Sequence, residues 1–541
     1  MSDFDYATTL AARVPAPSIE YGYLSPMLIV FGAAVLGVLV EAFLERRYRY
    51  GTHLVLSLVG LVAALVAVVA LAGTESTAIA GAVAIDGFSL FLQGTILVVS
   101  ILGVLLIAER GAEPRVEART GPGTWSLAAA TLGHGVDAFT PQASAVPGSA
   151  TEAAALRAGV ATTEVFPLTL LAVGGLMLFP ASNDLLTMFV ALEVLSLPLY
   201  LLCGLARRSR LLSQEASLKY FLLGAFSSAF FLYGVALLYG QAGTVRLGGI
   251  ADAIAQHPDN AMLALLGVAM LAVGLLFKIG AVPFQSWVPD VYQGAPTPIT
   301  GFMAAATKIA AVGALLRVLQ VAVPGLRDDW RPILAAVAIA TMAVGAVMAI
   351  TQTDVKRMLA YSSVAHAGFI LIGLAAANDR GVAAVLFYLL AYGLGTLGAF
   401  AVVSLVRESS GAEATSLPQW AGLGRRSPWL ATVFALLLLS FAGLPLTSGF
   451  VSKFAVFEAA ATGGATPLVI VGVICSAIAA FFYIRVIVLM FFTDPPADAP
   501  LITTPALTTT IVAVAAAATL VLGVFPQPLL DLAGRAATFI R

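Results

Sequence analysis

The chain has 541 residues, of which 60% are hydrophobic and 11% are charged, and its mean hydropathy is +0.97. Soluble globular proteins carry about 25% charged residues, so this chain has too few charges to cover a water-soluble surface of its size. Its richness in apolar residues excludes disorder over most of its length. The 28 basic and 29 acidic residues give no basic excess, which argues against a nucleic-acid partner. The composition indicates a polytopic membrane protein.

Fourteen apolar runs follow one another along the chain. A helix that crosses the hydrocarbon core of a bilayer needs about 20 mostly apolar residues. The runs lie near 24–43, 53–73, 86–108, 165–180, 183–205, 217–240, 260–282, 295–320, 332–352, 357–377, 381–406, 428–460, 467–492 and 505–525. We number the corresponding helices span 1 to span 14. The predicted fold class is an all-α polytopic membrane protein with about 14 transmembrane helices.

The basic residues between the spans are distributed unequally. If the spans alternate in direction, the connections on one side hold 15 Lys and Arg residues, whereas the other side, with both termini, holds 8. Arg46-Arg47 and Arg207-Arg208 belong to the richer side. Because basic loops are retained in the cytoplasm, the sequence predicts that both termini lie on the outer side of the membrane.

Residues 110–163 interrupt the apolar pattern. They are rich in Ala, Gly, Thr, Pro, Ser and Glu and contain no long apolar run. A connection of this length is uncommon. We expect a cytoplasmic insertion loop that is flexible or loosely packed. The alternative is a surface element that contacts a partner.

Two prolines in corresponding places predict an internal repeat. Pro283 interrupts span 7, Pro445 interrupts span 12, and spans 4 and 9 begin near 165 and 332. Spans 4–8 and 9–13 are therefore predicted to be two five-helix units with broken helices 7 and 12. Because five is an odd number, consecutive copies insert with opposite orientation, as in the inverted repeats of secondary transporters. The predicted divisions are 1–109 (three-helix segment), 110–163 (insertion loop), 164–321 and 322–492 (the two repeats) and 493–541 (span 14).

Six ionisable residues inside the predicted spans are candidates for function. A charge at the centre of a spanning helix costs roughly 2.5–3.5 kcal/mol on insertion scales, so each is a candidate functional residue. They are Glu193, Lys219, Lys278, Lys308, His366 and Lys453. For two of them the sequence also allows a position without a role in function. Lys219 lies near the end of its span and can extend its ammonium to the interface, and His366 can be a neutral histidine held by a hydroxyl or a carbonyl.

All six groups can take up and release a proton, which is unusual for a carrier of a larger substrate. Burial disfavours the charged form of a lysine and a nearby carboxylate favours it. Making or breaking a contact between a glutamate and a lysine can thus load or unload a proton, and a chain of such groups is a proton relay. The side chains expected to hold water between these groups are Ser196, Ser227, Ser228, Thr307 and Thr396.

Three runs carry a resemblance to a known family. They are FKIGAVPFQSWVPDVYQGAPTPITGFMAAATKIAAVGALLR (277–317), SLKYFLLGAFSSAFFLYGVALLYG (217–240) and TDVKRMLAYSSVAHAGFILIG (353–373). The chain resembles the antiporter-like subunits of respiratory complex I over nearly its whole length apart from 110–163, which is longer than the family's usual connection. The resemblance implies a proton-translocating subunit of a bacterial inner-membrane NADH–quinone oxidoreductase, packed against neighbouring antiporter-like and small membrane subunits. It also implies that FMN and iron–sulfur clusters belong to partner subunits and that this chain holds no cofactor.

The resemblance also assigns roles to the buried charges. In the family, a glutamate of the fifth helix pairs with a lysine of the broken seventh, and Glu193 and Lys278 fill these roles here. Lys308 matches the lysine of the eighth helix, which links the relay toward the centre. Lys453 matches the lysine of the broken twelfth helix, which ends the relay, and Lys219 matches a lysine of the sixth helix.

One position departs from the family pattern, and two other functions stay open. The family often has a histidine seven residues after the seventh-helix lysine, where this chain has Gln285, which cannot be protonated near neutral pH. This argues against a protonic role at that position. The first alternative function is a subunit of a multi-subunit cation/proton antiporter, which shares the Lys and Glu pattern. The second is a structural membrane scaffold.

Overall fold

A computed structural model describes residues 19–110, 137–147, 149–151, 154, 161–257, 261–408 and 411–540. Over these residues the protein consists mainly of α-helices, nineteen in all, with four short strands. Twelve helices within the described ranges are long and apolar enough to cross a bilayer. The two remaining predicted spans, 4 and 12, are built from shorter apolar helices. The prediction of an all-α polytopic membrane protein is therefore confirmed.

Each apolar run corresponds to one helix or, in spans 7 and 12, to a broken helix made of two halves. Spans 1 to 6 are Tyr21–Phe43, Arg46–Ala70, Gly87–Ile107, Val165–Ala181, Leu185–Cys203 and Arg210–Ala242. Span 7 consists of Met262–Ile279 and Trp287–Gly294, and spans 8 to 11 are Thr297–Arg317, Arg327–Ile350, Val355–Ala376 and Asp379–Leu405. Span 12 consists of Pro428–Ala442 and Ser448–Thr462, and spans 13 and 14 are Thr466–Phe492 and Ala506–Val524. Shorter helical segments outside the spans are Leu247–Gln256, Val318–Ala322, Pro324–Leu326, Leu417–Trp420, Leu423–Arg426 and Gln527–Ala536.

The connections gather at two opposite ends of the bundle. The terminal face holds the connections that follow the even-numbered spans, including strands β1 (Ser76–Ala78) and β2 (Val83–Ile85), which pair antiparallel. The basic face holds those that follow the odd-numbered spans, including the antiparallel strands β3 (Val406–Arg407) and β4 (Leu501–Ile502). Backbone bridges join neighbouring connections within each face, Val83 to Ser182 on the first and Phe139 to Ala206 on the second. The spans thus alternate in direction, as the sequence predicts.

The described part of the long connection is packed against the basic face. Phe139 is fully buried, and Arg207 donates a hydrogen bond of 2.7 Å from Nη2 to Oδ1 of Asp137. Arg210 donates to the carbonyl of Ala143 at 2.9 Å. Over 137–147 the connection is therefore not loosely packed, in contrast to the expectation. Residues 111–136 and most of 148–160 lie outside the described part of the chain.

The second helix of each five-helix unit begins with an aspartate N-cap. Asp184 starts span 5, and its Oδ1 accepts a hydrogen bond from the backbone N–H of Thr187 at 2.7 Å. Asp354 starts span 10, and its Oδ1 accepts from the backbone N–H of Arg357 at 3.0 Å. An aspartate in this position satisfies one of the free N–H groups of a helix start. The two caps mark equivalent points of the two five-helix units.

Backbone hydrogen bonds repeat with the same spacing as the caps. The N–H of Leu185 bonds to the carbonyl of Val245, and the N–H of Val355 bonds to the carbonyl of Thr415, so donors and acceptors are displaced along the chain by the same interval. The first bond lies on the terminal face and the second on the basic face, so the two units have opposite orientation. The same neighbours also pack in both units, since the first helix contacts the second and the fifth in each. These features confirm the inverted five-helix repeat.

Spans 7 and 12 are broken where the sequence predicts, but glycine as well as proline defines each break. The first half of span 7 is followed by Gly280 with φ +79°, and the first half of span 12 by Gly443 with φ +88°. Glycine adopts this left-handed conformation without steric cost and commonly ends helices. Pro283 and Pro445 follow within the breaks and prevent the helix from resuming at once.

Candidate functional site

Lys278 occupies an aromatic pocket at the break of span 7. It lies in the last turn of the first half-helix and is 3% exposed. Its Nζ donates a hydrogen bond of 3.2 Å to the hydroxyl of Tyr220, and it lies 4.9 Å from the ring centroid of Tyr220 and 5.4 Å from that of Tyr200. Trp287, which begins the second half-helix, stacks on Tyr220 at 4.6 Å. The break of span 7 therefore encloses a lysine between π faces.

Glu193 lies on an outward-facing stripe of span 5. Its neighbours Val190 and Leu197 on that stripe are exposed, and Glu193 is half-buried. One carboxylate oxygen, Oε1, is buried and has no hydrogen-bond partner among the described residues. Among the ion pairs of the same residues, none joins Glu193 to Lys278 within 4.0 Å. The two groups that the resemblance pairs are thus not in direct contact in this structure.

Lys308 lies in the middle of span 8 and binds span 10. It is 3% exposed, and its Nζ donates to the carbonyl of Ser363 and, at 2.7 Å, to the Ser363 hydroxyl. The ring centroid of Tyr392, from span 11, lies 5.4 Å from the ammonium. A buried ammonium needs such partners because an unsatisfied charge in a low-dielectric interior is very costly.

His366 lies one turn beyond Ser362 and Ser363 on span 10. Its Nδ1 is 2.7 Å from the hydroxyl of Tyr388, and its Nε2 is 3.4 Å from the hydroxyl of Tyr483. The Tyr483 hydroxyl in turn bonds to the Ser362 hydroxyl. The hydroxyl partners agree with the plain alternative of a histidine held by hydroxyls. They also connect His366, through Tyr483, to Ser362, which precedes in sequence the serine that binds Lys308.

Lys453 folds back onto the break of span 12. It is 4% exposed, and its Nζ donates to the carbonyls of Phe441 and Ala442 at 2.8 and 3.1 Å and to the Ser476 hydroxyl at 2.8 Å. The two carbonyls end the first half-helix, where the helix dipole favours a cation. Both broken helices thus hold a lysine at the carboxyl end of a half-helix.

Lys219 lies apart from this core. Its side chain is 41% exposed and its Nζ forms ion pairs with Glu215 at 2.6 Å and Asp290 at 2.7 Å. Asp290 also pairs with Arg357 at 2.8 Å, near the basic face. Gln285 lies in the break of span 7, and its Oε1 is buried without a hydrogen-bond partner among the described residues. The structure therefore places Lys308 on Ser363 and connects His366 through Tyr483 to the adjacent Ser362. Lys453 and His366 both contact the ring of Phe369, and Lys219 lies outside this group.

Three of the hydroxyls that the sequence suggests as water ligands form hydrogen bonds within their own helices. The side chains of Ser196, Ser227 and Thr307 donate to carbonyls of their own helices. The hydroxyl groups that contact the buried lysines and His366 were not named from the sequence: Tyr220, Tyr388, Tyr483, Ser363 and Ser476. Tyrosines and serines inside a span are the sequence signal that could have identified them. Within the described ranges, no three His, Cys, Asp or Glu residues form a possible metal site.

Two inverted five-helix units with broken helices and buried lysines define an antiporter-like membrane subunit of an ion-translocating complex. Residues 182–479 match the family model described as NADH:quinone oxidoreductase/Mrp antiporter, TM. The chain is 69% identical over 542 residues to the NADH-quinone oxidoreductase subunit N of Rhodococcus opacus (strain B4), and the alignment covers 100% of both chains. It is 62% identical to that of Mycobacterium tuberculosis (strain ATCC 25618 / H37Rv), covering 98% of this chain and 100% of the relative. The chain belongs to the family of NADH-quinone oxidoreductase subunits N.

Solved structures agree with this assignment. A chain of respiratory complex I from Thermus thermophilus with bound aureothin is 33% identical, with a TM-score of 0.74 and coverage of 94% of this chain and 99% of that one. A chain of the Mrp complex from Dietzia sp. DQ12-45-1b shares the fold with a TM-score of 0.76 at 21% identity, and the match covers 96% of this chain and 97% of that one.

Proposed function

We propose that this chain is a proton-translocating membrane-arm subunit of a bacterial NADH–quinone oxidoreductase. Electron transfer from NADH to quinone takes place in partner subunits, and this chain moves protons through Glu193, Lys278, Lys308, His366 and Lys453. The observation that supports this most is the burial of three lysines, each 3–4% exposed, at breaks and helix centres of both five-helix units. Such placement is costly in a membrane and is typical of ion pathways.

The redox chemistry belongs to other subunits in this proposal. FMN and iron–sulfur clusters reside in the partners, and this chain supplies no redox centre. The protein is inserted in the bacterial inner membrane with the basic face toward the cytoplasm and both termini outside, because basic connections are retained on the cytoplasmic side. The divisions 1–109, 110–163, 164–321, 322–492 and 493–541 describe its functional parts.

Within this proposal the six ionisable groups have different tasks. Lys308, from the last helix of the first unit, exchanges protons with His366 and Lys453 of the second unit, with the hydroxyls of Tyr388, Tyr483, Ser362 and Ser363 as intermediates. Glu193 and Lys278 serve the first unit, where a movement that brings the carboxylate to the ammonium loads a proton on the lysine. Lys219, which pairs with Glu215 and Asp290, lies at the basic-face end of the relay.

The test compares Lys308→Met with Arg485→Met in the assembled complex. Arg485 is an exposed cation within span 13 and donates to the carbonyl of Ile350, so it controls for removing a charge from a span. NADH-driven proton uptake by inverted membrane vesicles, NADH–quinone electron transfer and the amount of assembled complex are measured together. We expect Lys308→Met to lower proton uptake by about tenfold or more, since a positioned proton carrier contributes on the order of 10²–10⁴-fold.

Assembly is expected to stay intact in both variants, and Arg485→Met is expected to retain pumping. Normal pumping in Lys308→Met would contradict the relay and favour a scaffold. The second candidate is a subunit of a cation/proton antiporter, which the shared fold with the Mrp chain favours. It predicts copurification without iron–sulfur subunits and transport that depends on sodium rather than on NADH.

A further inference from the structure

A polar cavity opens on the basic face above the relay. Its volume is about 110 Å³, enough for several water molecules, since one needs roughly 10–15 Å³ of such space. The cavity lies where the cytoplasm-facing ends of spans 5, 7, 8, 10 and 11 meet. Its charged lining side chains are Arg207, Arg208, Lys356, Arg407 and Glu413. None of these residues belongs to the relay as proposed above.

Glu413 links the cavity to two helices of the relay. Its Oε2 accepts a hydrogen bond from the hydroxyl of Thr297, which begins span 8, and lies 3.3 Å from Nζ of Lys356, in the first turn of span 10. Lys356 is 2% exposed and also donates to the carbonyl of Ala295 at 2.8 Å. The Glu413 side chain is 18% exposed. A partly accessible carboxylate thus lies between the cavity and a buried lysine.

The helices place Thr297 on the same stripe as Lys308 and Lys356 on the same stripe as Ser363. Thr297 and Lys308 are eleven residues apart, which is about three turns on one stripe of span 8. Lys356 and Ser363 are seven residues apart, which is about two turns on one stripe of span 10. The stripes are bridged by Glu413 at the basic face and by the contact of Lys308 with Ser363 farther in.

Small residues lie on both stripes between the two bridges. One turn beyond Lys356 lies Ala360, and one turn before Lys308 lies Ala304, and both are buried. The side chain of Tyr292, from the second half of span 7, is 2% exposed.

We propose that Glu413 exchanges protons between water in the basic-face cavity and Lys308, with Lys356 as the group that controls this exchange. A proton taken up by the Glu413 carboxylate passes through intervening water and the hydroxyl of Ser363 to Lys308 after Lys308 has released its own proton to the relay, and the carboxylate is then free to take up the next one. The proposal rests on the proposed function, because it supplies the relay with its connection to one side of the membrane.

The surrounding charges explain why Lys356 is the controlling group. Burial by itself raises the pKa of Glu413, but the charges of Lys356 and Arg407 and the hydrogen bonds from Thr297 and Lys356 lower it below its usual value. With Lys356 in place the carboxylate therefore remains ionised and holds no proton. Movement of the Lys356 ammonium away from the carboxylate removes the nearest positive charge, and the carboxylate then binds a proton more readily.

The test separates a protonic role of Glu413 from a structural one. Glu413→Gln keeps the size and the hydrogen-bond acceptor but cannot carry a proton, whereas Glu413→Asp is shorter and keeps the titratable group. A structural role predicts that the glutamine variant works better, and a protonic role predicts that the aspartate variant does. Glu408→Gln is the matched control, since Glu408 lies in the same connection and accepts from Gln419 at 2.9 Å.

Proton uptake per NADH oxidised is measured in inverted vesicles that contain the full complex, at equal assembly. We expect Glu413→Gln to lower uptake by about tenfold, Glu413→Asp to retain most of it, and Glu408→Gln to match the unmodified complex. Normal uptake in Glu413→Gln, or a glutamine variant better than the aspartate one, would overturn the proposal. The Lys308→Met variant is run alongside. If it loses pumping while Glu413→Gln does not, the cavity connection is wrong and the relay stands; if both retain pumping, the relay itself is wrong.

Discussion

The ammonium of Lys278 is held by the hydroxyl and ring of Tyr220 rather than by a carboxylate. The Nζ–Oη distance is 3.2 Å, and the ring centroid lies 4.9 Å from Nζ. A neutral partner stabilises a buried cation less than an acid does, so the lysine remains able to release its proton. Glu193, the acid that the family resemblance assigns to it, lies on the outward stripe of span 5 and outside ion-pair distance. The charge state of Lys278 therefore depends on how close Glu193 comes.

Tyr220→Phe tests this arrangement. The variant keeps the ring that stacks on Trp287 but removes the hydrogen bond to Lys278, which is worth about 1.5–3 kcal/mol for a charged partner. We expect proton uptake per NADH to fall by about tenfold, since about 1.4 kcal/mol corresponds to that factor. Tyr233→Phe is the control, because this tyrosine of the same helix is 60% exposed. Equal pumping in the two variants would show that the hydroxyl does not serve Lys278.

We expect a buried ion pair on the terminal face to contribute strongly to the thermal stability of the complex. Arg317, at the end of span 8, is fully buried and donates two hydrogen bonds, of 3.0 and 2.8 Å, to Asp86 at the start of span 3. Removing one partner of a buried pair costs about 3–5 kcal/mol. Arg317→Met should therefore lower the thermal midpoint of the detergent-solubilised complex. The exposed pair of Arg425 and Asp494 provides the control, since breaking an exposed pair costs about 1 kcal/mol or less. Similar midpoints for Arg317→Met and Arg425→Gln would contradict this ranking.

The same pair predicts how stability depends on pH. Burial by itself raises the pKa of Asp86, but the Arg317 guanidinium and the hydrogen bonds from Ser89 and Ile540 lower it below the ordinary 3.8. A depressed folded-state pKa contributes stability that is fully present above the unfolded value and is lost as the pH falls through the folded value. We expect acid destabilisation to continue below pH 3.8 and to be weaker in Asp86→Asn. Thermal midpoints measured between neutral and strongly acidic pH test this, and an Asp86→Asn curve parallel to the unmodified one would refute it.

We expect equivalent glycines in the two repeats to be equally intolerant of substitution by alanine. A Cβ on Gly175 of span 4 would collide with the backbone of Leu195, and one on Gly345 of span 9 with the backbone of Ala365. Overpacking typically costs about 1–3 kcal/mol, so Gly175→Ala and Gly345→Ala should each reduce the amount of assembled complex and its thermal midpoint. Gly51→Ala is the control, since nothing lies within 4 Å of its added Cβ. A loss in one repeat only would show that the two helix contacts are not equivalent.

The sequence predicted the fold better than it predicted the site. Spans follow from long apolar runs because the bilayer acts uniformly on each helix, and Pro283 and Pro445 marked the broken spans. The register of the repeat, in which Asp184 corresponds to Asp354, follows only from the helix caps and backbone hydrogen bonds of the folded protein. The two prolines alone are separated by a shorter interval and so suggest a different register.

By itself, the sequence showed which charges lie within apolar runs, because an ionisable residue in such a run is conspicuous and costly. Only the tertiary structure decided their partners. Lys308 of span 8 binds Ser363 of span 10, and Lys453 binds the carbonyls of Phe441 and Ala442 in its own broken helix. Glu193 forms no ion pair with Lys278. Hydrogen bonds act over about 3 Å and depend on the angle between donor and acceptor. Their pairing is therefore fixed by how the helices rotate and pack, which no local run of residues specifies.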